Sequence, residues 1–149
     1  MSSDSQPVYF YGRHLPYFEF SNFARYPIVI DGLTWPTSEH YYQAQKFDDP
    51  ILKERVRNAA TPTDAAAIGR DKSLALRNDW ESVKDEVMLK ALIHKFGQHP
   101  NLRELLLNTG NKLLVEHTKN DSYWGDNLDG TGKNKLGLLL MQVRDLLRS

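Results

Sequence analysis

Cysteine is missing altogether from the 149 residues. That absence removes disulfides, thiolate metal ligands and a cysteine nucleophile together, and it suits a reducing compartment. Net charge is missing too, because 19 lysines and arginines stand against 19 aspartates and glutamates. No global field draws such a chain onto nucleic acid or an anionic membrane, so any phosphate it binds must be met by local groups. No run approaches the roughly 18 apolar residues of a membrane helix, and residues 1–7 have neither the basic start nor the apolar stretch of a signal peptide. A soluble cytoplasmic protein with no membrane partner is the expectation. No internal repeat or low-complexity tract marks a domain boundary.

What is present reads as an ordinary globular chain, 40% hydrophobic and 26% charged. At this size folding buries roughly 70% of the unfolded surface, enough for a core without a metal or disulfide staple. Residues 1–7 read as a flexible tail and 8–149 as one domain. Val8–Tyr11 is a short strand, and Ile28–Ile30, Asp31-Gly32 and Leu33–Trp35 form a hairpin, since Asp-Gly supplies the positive φ values of a type I′ turn. Pro36 and Thr37 open a helix running to Phe47, and Asp49-Pro50 open a second. Thr61-Pro62-Thr63-Asp64 carries a cap, a proline at the first helical position and an acid three residues after the cap, with Gly69 as the stop. The longest helix runs from Asn78 to Phe96, with Glu81 placed for a capping box and Gly97 and Pro100 ending it. Leu102, Leu105 and Leu106 mark a short helix stopped at Gly110, and Lys112–His117 is a strand. A Gly/Asp/Asn-rich loop covers Lys119–Lys133. In the last helix, Asn134–Arg148, residues Leu136, Leu139, Leu140, Val143 and Leu147 make one stripe. The expected fold is α+β, mostly helical, with a small antiparallel sheet.

Three places concentrate chemistry. Glu39, Gln43 and Lys46 fall at i, i+4 and i+7 on one helix face, where a carboxylate and an amine can address one ligand; by spacing alone the same row is a solvated surface. Lys84 has Trp80 and Met88 one turn to either side. Burial there would lower its pKa and make it a candidate nucleophile toward a sugar aldehyde, whereas a lysine whose stem merely covers the tryptophan would not be one. Trp80 itself reads as a core aromatic. The segment Asn120–Asn127 puts acids, amides and aromatics in a loop, where Trp124 either packs on the domain or stacks on a ligand, and where Asp126, Asn127 and Asp129 also suit plain turn chemistry.

Other motifs fail. Gly125 to Gly130 has the spacing of a phosphate-binding loop, but Thr131-Gly132 stands where Lys-Ser/Thr is required. The same stretch lacks the first acid of a calcium loop and has Leu136 in place of the closing glutamate. His14, His40, His94, His99 and His117 fall on dissimilar elements without a paired spacing, so no metal site can be read.

Phe20-Ser21-Asn22-Phe23, the run Thr34–Phe47, Trp80-Glu81-Ser82-Val83-Lys84, Asp121–Asp126, and Gly132–Gly137 with Leu140-Met141 come in one order. Together they resemble the signature blocks of the NADAR family, most of all a bacterial single-domain branch that includes a protein labelled as a swarming-motility factor. The resemblance covers about residues 9–148. It implies a cofactor-free N-glycosidase whose partner is a small molecule, a phosphorylated ribosylaminopyrimidine of early riboflavin synthesis. Related members remove ADP-ribose from guanine, which makes an ADP-ribosylated base the alternative substrate. By the same resemblance Glu39, Trp80 and an acid of the Asp121 loop are expected to be essential and a lysine to hold the ribose as an imine; by helical spacing the candidates are Lys84 and, preferred because it shares a face with Glu39, Lys46. Asn22, Trp124, Gly125, Asp126 and Asn134, which stand in these blocks, are expected to contact substrate. Asn127-Leu128-Asp129 departs from the glycine-rich stretch common at that place, which bears on substrate choice.

Cleaving an N-glycoside builds positive charge on the ribose and negative charge on the departing base, so a carboxylate and a proton donor are both needed. Glu39 and Asp121 are the candidates, Trp80 or Trp124 can stack on the pyrimidine, and Arg70 or Lys133 can meet the ribose phosphate. The rival classes are a binding module that holds a nucleotide or ADP-ribose without turning it over, and a domain that only contacts other proteins.

Overall fold

The computed structural model describes residues 6–119 and 121–148; residues 1–5 of the expected tail, and Asn120, lie outside the described residues. The elements run β1 (Val8–Phe10), a single 3-10 turn (Phe18–Phe20), β2 (Ile28–Ile30), β3 (Leu33–Trp35), α1 (Ser38–Ala44), α2 (Pro50–Arg57), α3 (Pro62–Gly69), α4 (Trp80–Gln98), α5 (Pro100–Leu107), β4 (Leu114–Glu116) and α6 (Lys135–Arg148). This is an α+β fold of six helices and short strands. Its contacts divide into two compact units, one of Arg25–Gln98 and one made of the residues up to Ala24 together with those from His99 onward.

In the Arg25–Gln98 unit the β2–β3 hairpin is antiparallel, with Ile28 opposite Trp35 and Ile30 opposite Leu33. Asp31 and Gly32 carry φ values of 53° and 81°, the pair of left-handed residues that a type I′ turn demands. The free edge of β2 is closed by a side chain: Gln98 donates to the Val29 carbonyl and accepts from the Val29 amide, both at 2.8 Å. Three helices are capped as the sequence signals. Thr37 accepts from the His40 amide at 3.1 Å, Asp49 from Ile51 at 2.9 Å and Thr61 from Asp64 at 3.0 Å, each cap contributing about 1 kcal/mol. α1 therefore begins at Ser38, after its Thr37 cap, and it ends at Ala44 rather than Phe47, which leaves Lys46 and Phe47 past the helix. Ile28, Ile30, Trp35, Tyr41, Ala44, Phe47, Val56, Ala65 and Ala91 form the core of this unit.

α4 differs from its expected form at both ends. It starts at Trp80 rather than Asn78, and Glu81 makes an ion pair with Lys84 at 2.7 Å. At the other end Gly97 lies inside the helix, which continues to Gln98, and Pro100 opens α5 instead of closing α4. A lone glycine costs a long helix about 1 kcal/mol, which does not stop it, and proline at the first helical position is favourable.

In the other unit β1 and β4 pair in parallel, Val8 with Leu114 and Phe10 with Glu116. The expected small sheet is thus two separate two-stranded ladders, only one of them antiparallel. Orientation of a pair so distant in sequence is set by the intervening chain, not by the strands' own residues. Phe10, Phe20, Leu102, Leu106, Leu114, Leu136, Leu140 and Val143 are buried here. The α6 stripe follows the sequence spacing, and it also buries Arg144, whose Nη1 donates to the Thr109 hydroxyl at 2.8 Å and the Lys112 carbonyl at 2.9 Å.

Candidate active site

The α1 row is not a solvated face. Glu39 is only 7% exposed and Gln43 3%. Helical spacing stacks the two, and the Gln43 Nε2 donates to Glu39 Oε2 at 2.7 Å. One turn on, Lys46 Nζ donates to the Gly69 carbonyl at 3.3 Å and lies 5.8 Å from the centroid of the Tyr42 ring. Burial pulls the Lys46 pKa below the ordinary lysine value; the Glu39 charge opposes that, while Arg70 and Lys84 add to it. A carboxylate on α1 and an amine just past that helix's C-terminal end thus lie in one electrostatic neighbourhood, the amine drawn toward its neutral form.

The other expected residues of this unit surround that row differently. Trp80 is buried, edge-on to Tyr42 at 5.1 Å, as a core aromatic would be. Lys84 is mostly covered, but its amine is engaged by Glu81, whereas that of Lys46 rests on a carbonyl and a ring. Arg70 caps α3 directly after Gly69 with an exposed side chain. His40, read from sequence as a structural histidine, is fully buried. Its Nε2 meets the Ala59 carbonyl at 3.0 Å, and since a carbonyl only accepts, that nitrogen carries the proton and Nδ1 accepts from the Thr37 hydroxyl at 2.8 Å. Burial lowers its pKa and keeps the ring neutral.

The loop residues of the second unit are tied to their own backbone. Asp121 Oδ1 accepts from the Tyr123 and Trp124 amides at 3.1 and 2.8 Å. Asp126 Oδ1 accepts from Thr118 and Leu128, and its Oδ2 from His117 Nδ1 at 2.7 Å. Burial alone would raise the Asp126 pKa, but these donors together bring it below the usual carboxylate value. Asn134 sits at φ 52° and spans β4, donating to the Leu114 carbonyl at 2.9 Å and accepting from the Glu116 amide at 3.0 Å. Gly125 is buried where a Cβ would come within 2.5 Å of the Thr118 methyl. Trp124 is half-buried and edge-on to Tyr123 at 4.9 Å, Lys133 Nζ lies 5.4 Å from the Tyr123 ring centroid, and Asn22 is buried.

Two residues were not singled out by sequence. Gln43 appears there only as a member of the row, although its i+4 relation to Glu39 was legible. Lys95 is wholly buried, with its Nζ 5.9 Å from the Tyr26 ring centroid; it continues the apolar stripe four residues after Ala91, which was the available signal. Among the described residues no three histidines, aspartates or glutamates come together to hold a metal ion, and no helix is long and apolar enough to cross a membrane.

The NADAR domain description matches residues 9–148, and the chain belongs to that family. It is an enzyme of the N-glycosidase class, a hydrolase acting on N-glycosyl bonds. Among its relatives, N-glycosidase YbiA of Escherichia coli (strain K12) is 56% identical over 94% of this chain and 88% of its own. N-glycosidase Npun_R5314 of Nostoc punctiforme is 46% identical over 95% and 93%. The riboflavin biosynthesis protein VVA0006 of Vibrio vulnificus is 43% identical, covering 96% of this chain but 39% of that longer protein. The NMR structure of E. coli YbiA superposes with a TM-score of 0.90 at 55% identity, over 97% of this chain and 86% of that one.

Proposed function

We propose that the enzyme hydrolyses the bond between ribose 5-phosphate and the amino group of an aminopyrimidine, acting in the cytoplasm on early intermediates of riboflavin synthesis. The observation that carries the reading is the buried Glu39 beside Lys46, an amine shifted toward its neutral, nucleophilic form. The substrate class draws support from the riboflavin-biosynthesis names of the Vibrio vulnificus and maize relatives. In the proposed course the neutral Lys46 amine adds to C1 of the ribose and the C1–N bond to the base breaks, the base leaving as its free amine with a proton. The ring then opens at C1–O4′, O4′ taking up a proton as the lysine nitrogen loses one, to leave an imine at C1. The remaining imine then adds water and breaks to release ribose 5-phosphate and regenerate the lysine. Glu39 passes the protons.

The test is incubation with the ribosylaminopyrimidine phosphate while free ribose 5-phosphate is followed over time. Release that saturates with substrate is expected. A folded protein that releases none, or that acts only on an ADP-ribosylated guanine with release of ADP-ribose, overturns the proposed substrate.

A further inference from the structure

We propose that Gln43 is a positioning residue for Glu39: its amide fixes the carboxylate and favours the ionised form, and residue 69 is glycine to make room for that amide. This deepens the function proposed above, since it rests on Glu39 being a catalytic residue.

The bond from Gln43 Nε2 to Glu39 Oε2, at 2.7 Å, is short for an N–H donor, as charge-assisted bonds are. Both groups are buried, so the bond is little weakened by competing water. The other end of the same amide is unusual: Gln43 Oε1 is buried with no hydrogen-bond partner. Flipping the amide would turn an oxygen toward the carboxylate and strand the two N–H groups instead, a worse outcome because an orphaned donor is less tolerated than an orphaned carbonyl. An apolar side chain of the same length would leave no atom of its own unpaired, but it would take the donor away from Glu39. The orphaned oxygen is thus the cost of placing a donor against Glu39, which packing alone does not require.

Gly69 gives an independent reason. It closes α3 in ordinary backbone conformation, without the positive φ that calls for glycine elsewhere in the chain. Alanine would be the better helix former. A Cβ at this position, however, would overlap Gln43 Oε1 and come within 2.8 Å of Gln43 Cδ. The residue's carbonyl meanwhile accepts from Lys46. The end of α3 therefore backs the whole row, with bare Cα against the glutamine and C=O against the lysine.

The variants are Gln43→Met, which keeps the length and removes the donor, and Gly69→Ala, which displaces the amide without altering it. The Glu39 side-chain carboxyl is followed by carbon-13 NMR titration of the free protein, its signal assigned through Glu39→Gln, alongside kcat, KM and thermal melting. Loss of the donor should raise the Glu39 midpoint by about one pH unit in both variants. It should also lower kcat by roughly 10-fold with a smaller change in KM, and move the acid limb of kcat/KM upward with the midpoint. Both variants should stay folded, with Gln43→Met melting somewhat lower than wild type near neutral pH because the buried carboxylate has lost its donor. An unchanged midpoint in either folded variant, or wild-type turnover despite a raised midpoint, overturns the proposal. Because the titration needs no turnover, a wild-type protein that cleaves no substrate sinks the proposed reaction while the midpoint still decides the role of Gln43.

Discussion

Asn134 separates two kinds of role for a residue in a signature block. The structure spends its side chain on β4, where Nδ2 donates to the Leu114 carbonyl and Oδ1 accepts from the Glu116 amide, closing the strand edge that does not face β1. Asn134→Ala removes both bonds, about 1 kcal/mol each, and strands a buried carbonyl at a further cost of about 1 kcal/mol. Asparagine also tolerates the φ of 52° that alanine dislikes, which adds roughly 1 kcal/mol. The sum is about 4 kcal/mol. At this chain length each kcal/mol lowers Tm by about 3 °C, so a fall of roughly 10 °C is expected in a circular-dichroism melt, with the same loss in urea. Asn134→Gly loses the bonds but escapes the left-handed penalty, and should fall short of alanine's loss. For the folded fraction KM should stay near wild type. A melt within 2 °C of wild type together with a KM raised by ~10-fold would refute this reasoning and make Asn134 a substrate contact.

Borohydride added during turnover should leave a stable adduct on Lys46 and not on Lys84, read by peptide mass spectrometry; Lys46→Arg should lose adduct and turnover together, since a guanidinium stays charged. Glu39→Gln should keep the fold, because the Gln43 amide can donate to the new carbonyl, yet lower kcat by at least ~100-fold in steady-state assays; near-wild-type kcat would make Glu39 structural. His40 should give an acid limb of stability. Its folded pKa lies below the unfolded value near 6.5, so the unfolded chain binds the extra proton and stability declines as pH falls below about 6.5, by up to ~1.4 kcal/mol per unit. Urea melts of wild type and His40→Gln across pH 5 to 7.5 should show that slope only in wild type.

Much of this protein is written in local chemistry. Asp31-Gly32, Thr61-Pro62 and Asp49-Pro50 act within a few residues of themselves, so their turn and caps could be read before any fold was known. The family blocks likewise identified the enzyme class. Helix ends were less legible: Gly97 and Pro100 are stop signals in isolation, but a lone glycine does not end a helix whose last residue, Gln98, is held by Val29, and Pro100 at a first helical position opens α5. The parallel pairing of β1 with β4 was not legible, because a strand's residues do not encode the direction of a partner a hundred residues away.

At the site the division runs along burial. Helical spacing alone puts Glu39, Gln43 and Lys46 in a row, and such a row is normally wet. Only the tertiary structure decides that α3 covers it, that Lys46 meets the Gly69 carbonyl, and that the amides of Gln98 and Asn134 close strand edges far from them in sequence. The physical reason is common to all of these. Propensity and periodicity are properties of one segment, whereas desolvation, the orphaned Gln43 carbonyl and the choice of partner for a charge depend on which other segment arrives beside it.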